Sequence, residues 1–114
     1  MEYDFEDGNG PVPAHKHTNG GGWISDTATV SATAHVGKNA RVYGNAWVSG
    51  NARVYCNARV YGNAWVSSNA LVYGYARVYG DARVSGDAWV SGDAIVCDNA
   101  QVSGDARVSG NYGS

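Results

Sequence analysis

Valine occupies position 30 and every sixth position after it through 108, and an alanine stands two residues ahead of each of these fourteen valines, from Ala28 to Ala106. Gly22 and Ile24 supply one earlier unit in the same register, so fifteen units of the form Ala-x-Val-x-Gly-Asn/Asp fill residues 22–111 without an insertion. Neither a helix with a period near 3.6 nor an unbroken alternating strand returns to phase after six residues with a turn-forming pair each time. A short strand followed by a corner does. Within each unit Ala and Val point to one side and the intervening residues to the other. Gly followed by Asn or Asp supplies backbone that accepts positive φ and lets the chain turn. Strands this short are not stable alone, so successive turns of the chain must stack. The pattern predicts an all-β fold, a single parallel β-solenoid, with Ala and Val inside.

The run Val60-Tyr61-Gly62-Asn63-Ala64-Trp65 and its sisters resemble the hexapeptide repeat of left-handed parallel β-helices. That resemblance implies a triangular prism in which an aliphatic residue fills the interior, a small residue sits two places before it, and three units make one coil. The left hand is part of the resemblance, because crossovers between parallel strands are usually right-handed. About five coils of 18 residues, stacked at about 4.8 Å, give a solenoid about 24 Å long. The expected organisation is an N-terminal cap or arm at 1–21, the repeat at 22–111 and a tail at 112–114. Pro11 to Trp23, PVPAHKHTNGGGW, is similar to the leader of uncharacterised hexapeptide-repeat proteins of bacteria and their phages.

Taking every third unit sorts the outward side chains onto three faces. The first carries Trp23, Arg41, Arg59, Arg77 and Ile95 in one column beside Ser25, Tyr43, Tyr61, Tyr79 and Cys97. The second carries Thr29, Trp47, Trp65, Arg83 and Gln101 beside an unbroken serine column from Ser31 to Ser103, and the third mixes His35, Arg53, Leu71, Trp89 and Arg107 with Gly37, Tyr55, Tyr73, Ser91 and Ser109. Arginines one strand spacing apart repel by about 1 kcal/mol per pair in bulk water. The neighbouring tyrosines and Trp23 are expected to relieve this by cation–π contact and by covering the arginine stems. Arg, Tyr and Trp are also the residues that dominate binding hot spots. Trp23, Arg41, Arg59, Arg77, Tyr43, Tyr61 and Tyr79 are therefore the candidate partner-binding face, with Trp47 and Trp65 as a second candidate face.

Charge sharpens that picture. The net charge of −2 hides an interval between Asp26 and Asp81 that contains Lys38, Arg41, Arg53, Arg59 and Arg77 and no acid, while both flanking stretches are acidic. Ion pairing between ends and centre is the simpler expectation; a belt for polyanions is the other. Within 1–21, Tyr3 and Phe5 alternate with acids as in a short strand, Asn9-Gly10 marks a turn, and Pro11 and Pro13 hold an extended segment, so this head is expected across the open first coil.

Candidate chemistry is sparse. His15, His17 and His35 make a three-histidine metal site conceivable, but no Cys or acidic ligand is fixed beside them, and a polar contact in the cap is the expectation taken. Cys56, in a corner slot, and Cys97, in an outward slot, lie two coils apart, beyond the reach of a disulfide, and are expected to be free thiols. No cofactor is implied. Enzymes of the resembled family include acyltransferases and trimeric carbonic anhydrases, yet the histidine ligands and protruding loops that such sites require have no counterparts here. The chain is expected not to be an enzyme. It reads as a protein-interaction module, phage-encoded or bacterial, acting on a host protein complex through its Arg/Tyr face. The alternatives are a structural assembly module and a residual acyltransferase-like trimer. The partner is a protein or a second copy in a homo-oligomer, nucleic acid is the less favoured partner, and no membrane partner is implied. The acidic start and the absence of an apolar run of membrane length predict a cytoplasmic location, that of the host if the chain is phage-encoded.

Overall fold

The computed structural model describes residues 2–6, 8, 10–109 and 111–112, the last two as backbone. It opens with an antiparallel hairpin, β1 (Glu2–Asp4) and β2 (Pro11–Lys16), in which Glu2 faces Pro13. Short strands then recur every six residues from Trp23 to Arg107 and pair in parallel with the strand 18 residues on, as Trp65 does with Arg83, while the last pairing is shifted by two, with Ile95 opposite Asn111. Face one stacks β3 (Trp23–Ser25), β6 (Arg41–Val42), β9 (Arg59–Val60), β12 (Arg77–Val78), β15 (Ile95–Val96) and β18 (Asn111–Tyr112). Face two stacks β4 (Thr29–Val30), β7 (Trp47–Val48), β10 (Trp65–Val66), β13 (Arg83–Val84) and β16 (Gln101–Val102). Face three stacks β5 (His35–Val36), β8 (Arg53–Val54), β11 (Leu71–Val72), β14 (Trp89–Val90) and β17 (Arg107–Val108). The predicted β-solenoid and its three outward faces are thus the observed ones. No helix occurs among the described residues, so none is long and apolar enough to cross a membrane.

The interior is one continuous column of Ala and Val, closed above by Ile24, and every Val from 36 to 96 is fully buried. Larger side chains would not fit so narrow a prism, and smaller ones would leave voids of the kind that cost about 24 cal/mol per Å³. Between strands the corners stack as closely. Asn45 N–H donates to the Gly62 carbonyl at 2.8 Å and Asn63 N–H to that of Gly80 at 2.8 Å. Gly62 has φ of +69°, and a Cβ placed on it would sit 2.9 Å from the Gly80 nitrogen. Cys56, Ser68 and Asp98 hold the same left-handed corner at φ of 59°, 60° and 58°. Each of the first two stands above a glycine, Gly74 or Gly86. The first coil departs from this scheme: it has Asp26-Thr27 and Ala32-Thr33 at its corners, and the Thr27 and Thr33 hydroxyls donate to the Gly44 and Gly50 carbonyls in place of a backbone amide.

The head closes two of the three sides of the first coil. β2 runs antiparallel along β3, with Ala14 opposite Ser25. Residues 17–22 then lie over β5. His17 Nε2 donates to the Ala34 carbonyl at 2.8 Å, Asn19 Nδ2 donates to the same oxygen at 3.1 Å, and Gly22 N–H donates to Val36 O at 2.9 Å. In lower coils the equivalent carbonyls accept from a strand above, so these groups stand in for a missing coil. β4 has no strand above it among the described residues. At the other end β16 and β17 are the last strands of their sheets, while β18 continues face one. The boundary expected between 111 and 112 therefore falls inside a strand: Asn111 and Tyr112 pair with Ile95 and Val96. The rest of the expected tail, 113–114, lies outside the described residues, as does Asn9 of the expected turn.

Gly62→Ala combines a close backbone contact with left-handed strain and is expected to lower unfolding free energy by roughly 1–2 kcal/mol. Cys56→Gly relieves the same strain without loss of a buried contact and is expected to leave stability unchanged or raise it by up to about 1 kcal/mol. Denaturant melts of the two variants beside the parent measure both.

Candidate functional site: the Arg/Tyr face

On face one the Tyr rings form a true stack. Tyr43 and Tyr61 lie 4.8 Å apart at 3° between planes, and Tyr61 and Tyr79 lie 4.9 Å apart at 7°. Parallel strands in register force identical side chains into such columns, and a ring stack uses the spacing well. Phe5 adds a further ring above Tyr43, 4.8 Å away, in the space left by the small Ser25. Tyr3 packs against Trp23 at 4.6 Å and edge-on to Phe5 at 4.9 Å. The hairpin therefore folds down over the upper part of the face as well as lying along its edge, which goes beyond the cap expected from sequence.

The same hairpin addresses the arginine column. Glu6 Oε1 accepts from Arg41 Nη1 at 3.0 Å and lies 3.7 Å from Arg59 Nη2, and the Arg41 guanidinium sits 5.3 Å from the Tyr3 ring centre. One carboxylate thus bridges two like charges that the fold brings together. Glu6 is largely exposed, so its contribution is that of a screened surface pair, about 0–1 kcal/mol. For Arg41 the head supplies relief, through Glu6 and Tyr3. Sequence reasoning missed Tyr3, Phe5 and Glu6 as members of this site, although the acidic start facing a basic centre was the available signal.

These contacts divide the seven residues of the expected face. Trp23, Arg41 and Tyr43 lie under or against the head, and Tyr43 is only 5% exposed because Phe5 covers it. Tyr43 is consequently not available to a partner while the head is docked. Arg59 is shared, through Glu6, and Tyr61, Arg77 and Tyr79 remain on the uncovered part, with Arg77 exposed. Burial raises the Tyr61 hydroxyl above its ordinary value, opposed by the nearby Arg77 and Arg59. Tyr79 is raised chiefly by a side-chain hydrogen bond with Cys97, then by burial, and Tyr55 on face three by burial first and Tyr73 second.

The second candidate face places Trp47 and Trp65 together, 5.5 Å apart at 19°, with Arg83 lying 4.9 Å over the Trp65 ring. Both indoles are nearly half exposed, at 48% and 44%. The three histidines do not converge on a metal: His15 Nδ1 lies 2.7 Å from Asp26 Oδ1, His17 is taken up by Ala34, and His35 Nδ1 lies 3.2 Å from Asn19 Oδ1. Among the described residues no group of three His, Cys, Asp or Glu is placed to hold one. Cys56 and Cys97 are both free, as their separation requires.

The repeat itself matches a family model, the YdcK beta-solenoid repeat, at residues 40–55, 52–68, 58–74, 76–92 and 100–113. The chain belongs to the YdcK β-solenoid repeat family. The matched segments carry the arginine and tyrosine columns of face one from Arg41 to Tyr79, but the head that covers their upper part lies before the first match in this YdcK-type solenoid. No curated protein and no solved structure matches the chain.

The raised tyrosines have a signed consequence. Their folded-state values lie above the unfolded one, so the protein is fully stabilised by them below about pH 10 and loses that contribution as pH rises through the folded values. An ultraviolet tyrosinate titration is expected to show a fraction ionising later in the native protein than in urea, and Tyr61→Phe is expected to shrink that fraction.

Proposed function

We propose that this solenoid is a non-catalytic protein-interaction module that presents the Arg/Tyr face, phage-encoded or bacterial, acting in the cytoplasm on a host protein complex. The observation that carries the reading is the division of that face. Its arginines and stacked tyrosines continue below the head, where Arg77 is exposed and has no carboxylate within ion-pair distance among the described residues. Flat, rigid, aromatic and cationic surfaces of this kind are rich in the residues that anchor protein complexes. The non-catalytic part of the proposal is supported by the histidines: His17 and His35 are engaged in closing the first coil, and His35 is the one histidine within the repeat. A hexapeptide-repeat helix is proposed on the six-residue strand spacing together with three strands per 18-residue coil, and its left hand on the resemblance of the repeat alone.

A second reading, self-assembly, is favoured by the Trp47–Trp65 pair. Two stacked indoles nearly half exposed on a flat face suit a subunit contact, and a homo-oligomer would bury them. A residual acyltransferase-like trimer is the third reading, tested by acetyl-coenzyme A calorimetry.

The experiment is a pull-down from host lysate, with and without nuclease, comparing the parent with the triple variant Arg41→Glu, Arg59→Glu, Arg77→Glu. A stoichiometric protein retained by the parent and lost by the variant is the expected result. Recovery of nucleic acid alone, or of the protein's own copies alone, would replace this reading with one of the others. Trp47→Ala with Trp65→Ala is expected to shift any oligomer toward monomer in analytical ultracentrifugation without affecting that capture.

A further inference from the structure

The head is a ligand already bound to the face, and its chemistry says what else would bind. Among the described residues β1 pairs only with β2, so the hold of Tyr3, Phe5 and Glu6 on face one is made by side chains. An aromatic ring ends the tyrosine stack, and a carboxylate bridges two arginines. The upper end of the stack accepts Phe5 because the residue above Tyr43 in the column is the small Ser25. The lower end repeats this arrangement. Below Tyr79 the column continues with the small Cys97, and among the described residues the only ring packed on Tyr79 is Tyr61. The exposed Arg77 stands beside it, and the half-buried Ile95 lies below Arg77.

We propose that this lower notch, formed by Tyr79, Cys97, Arg77 and Ile95, binds a short extended peptide segment of a partner that alternates aromatic and acidic residues, as the head does above. The inference rests on the reading of face one as a protein-binding surface and specifies the partner's chemistry. An aromatic ring stacks over Cys97 on the face of Tyr79 that no ring covers among the described residues, and a carboxylate pairs with Arg77 on its Arg59 side. Asp98 lies next to Cys97, its Oδ2 3.9 Å from the Cys97 sulfur, and it directs the carboxylate away from the bottom of the notch. Nucleic acid suits the surface less well. Successive bases need free ring faces to stack on, whereas the Tyr61 and Tyr43 faces are filled by their neighbours at 4.8–4.9 Å, leaving one open ring face in this column among the described residues.

The probe is a fluorescent peptide with the sequence of residues 2–6, Glu-Tyr-Asp-Phe-Glu, titrated with the full chain and followed by anisotropy. Saturable one-to-one binding below about 1 mM is expected. Arg77→Glu and Tyr79→Ala should each weaken it tenfold or more, whereas Phe5→Ala, which loosens the resident head, should not weaken it. A peptide with Ala in place of its Phe should bind at least fivefold more weakly. Absence of saturable binding, equal binding to Arg77→Glu or Tyr79→Ala, or equal binding of the Phe-less peptide or of a single-stranded oligonucleotide would overturn the proposal. Circular dichroism confirms that each variant is folded before titration. Loss of the lysate partner by the arginine variant, with no peptide binding, would sink the peptide chemistry alone and leave the interaction role standing.

Discussion

Parallel pairing between coils sets each repeat residue over its counterpart 18 positions later as far as Arg107, and almost every other property of the molecule follows from that registry. Backbone N–H groups donate downward to the next coil at 2.7–3.1 Å, along the strands from the first coil on and at the corners from the second. One inserted residue would turn an outward side chain inward and replace a buried Val by the residue that precedes it, in most units an Arg or a Trp. The absence of insertions in residues 22–111 is thus a physical requirement of the ladder as much as a feature of the repeat.

Registry multiplies whatever a slot contains. In the interior it turns Ala and Val into a column buried without a break from Ala34 to Val102. Outside, it turns Tyr into a stack, which suits flat rings, and Arg into a line of like charges, which does not suit cations. Face two shows one remedy, with Arg83 below Trp65 lying over the indole at 4.9 Å, and face three repeats it with Arg107 over Trp89 at 4.4 Å. On face one three arginines run consecutively, so no ring can be interposed in their own column. The remedy there comes from outside the repeat, in the head's Glu6 and Tyr3.

Where information repeats, the fold was legible: Val30 to Val108 alone fix strand spacing, interior and faces. Trp47, Trp65 and the Arg/Tyr columns were placed correctly on their faces because a position modulo 18 determines them. The fate of Tyr43 was not legible, because its burial depends on Phe5, 38 positions earlier and outside the period. His17 is similar. Alternation along an extended segment would place it with His15, but the strand ends at Lys16 and the chain turns, sending His17 inward to Ala34 while His15 stays with Asp26.

The head also shows why an end of a solenoid carries the least repetitive chemistry. A coil with nothing above it leaves carbonyls that the repeat has no means of satisfying, since Ala, Val and Gly offer no side-chain donor. His17, Asn19, Thr27 and Thr33 are the donors recruited at this end, the first two to Ala34 above and the threonines to the corners below. Each departs from the repeat where the repeat's own solution fails. Gly20 and Gly22 fit the same logic, because a Cβ on either would collide with the Val36 backbone that the loop covers. A side chain at these two positions would lift the loop off β5 and expose the carbonyls of Ala34 and Val36 together, so the sequence of the head is constrained most tightly where it copies a strand and least where it only covers one.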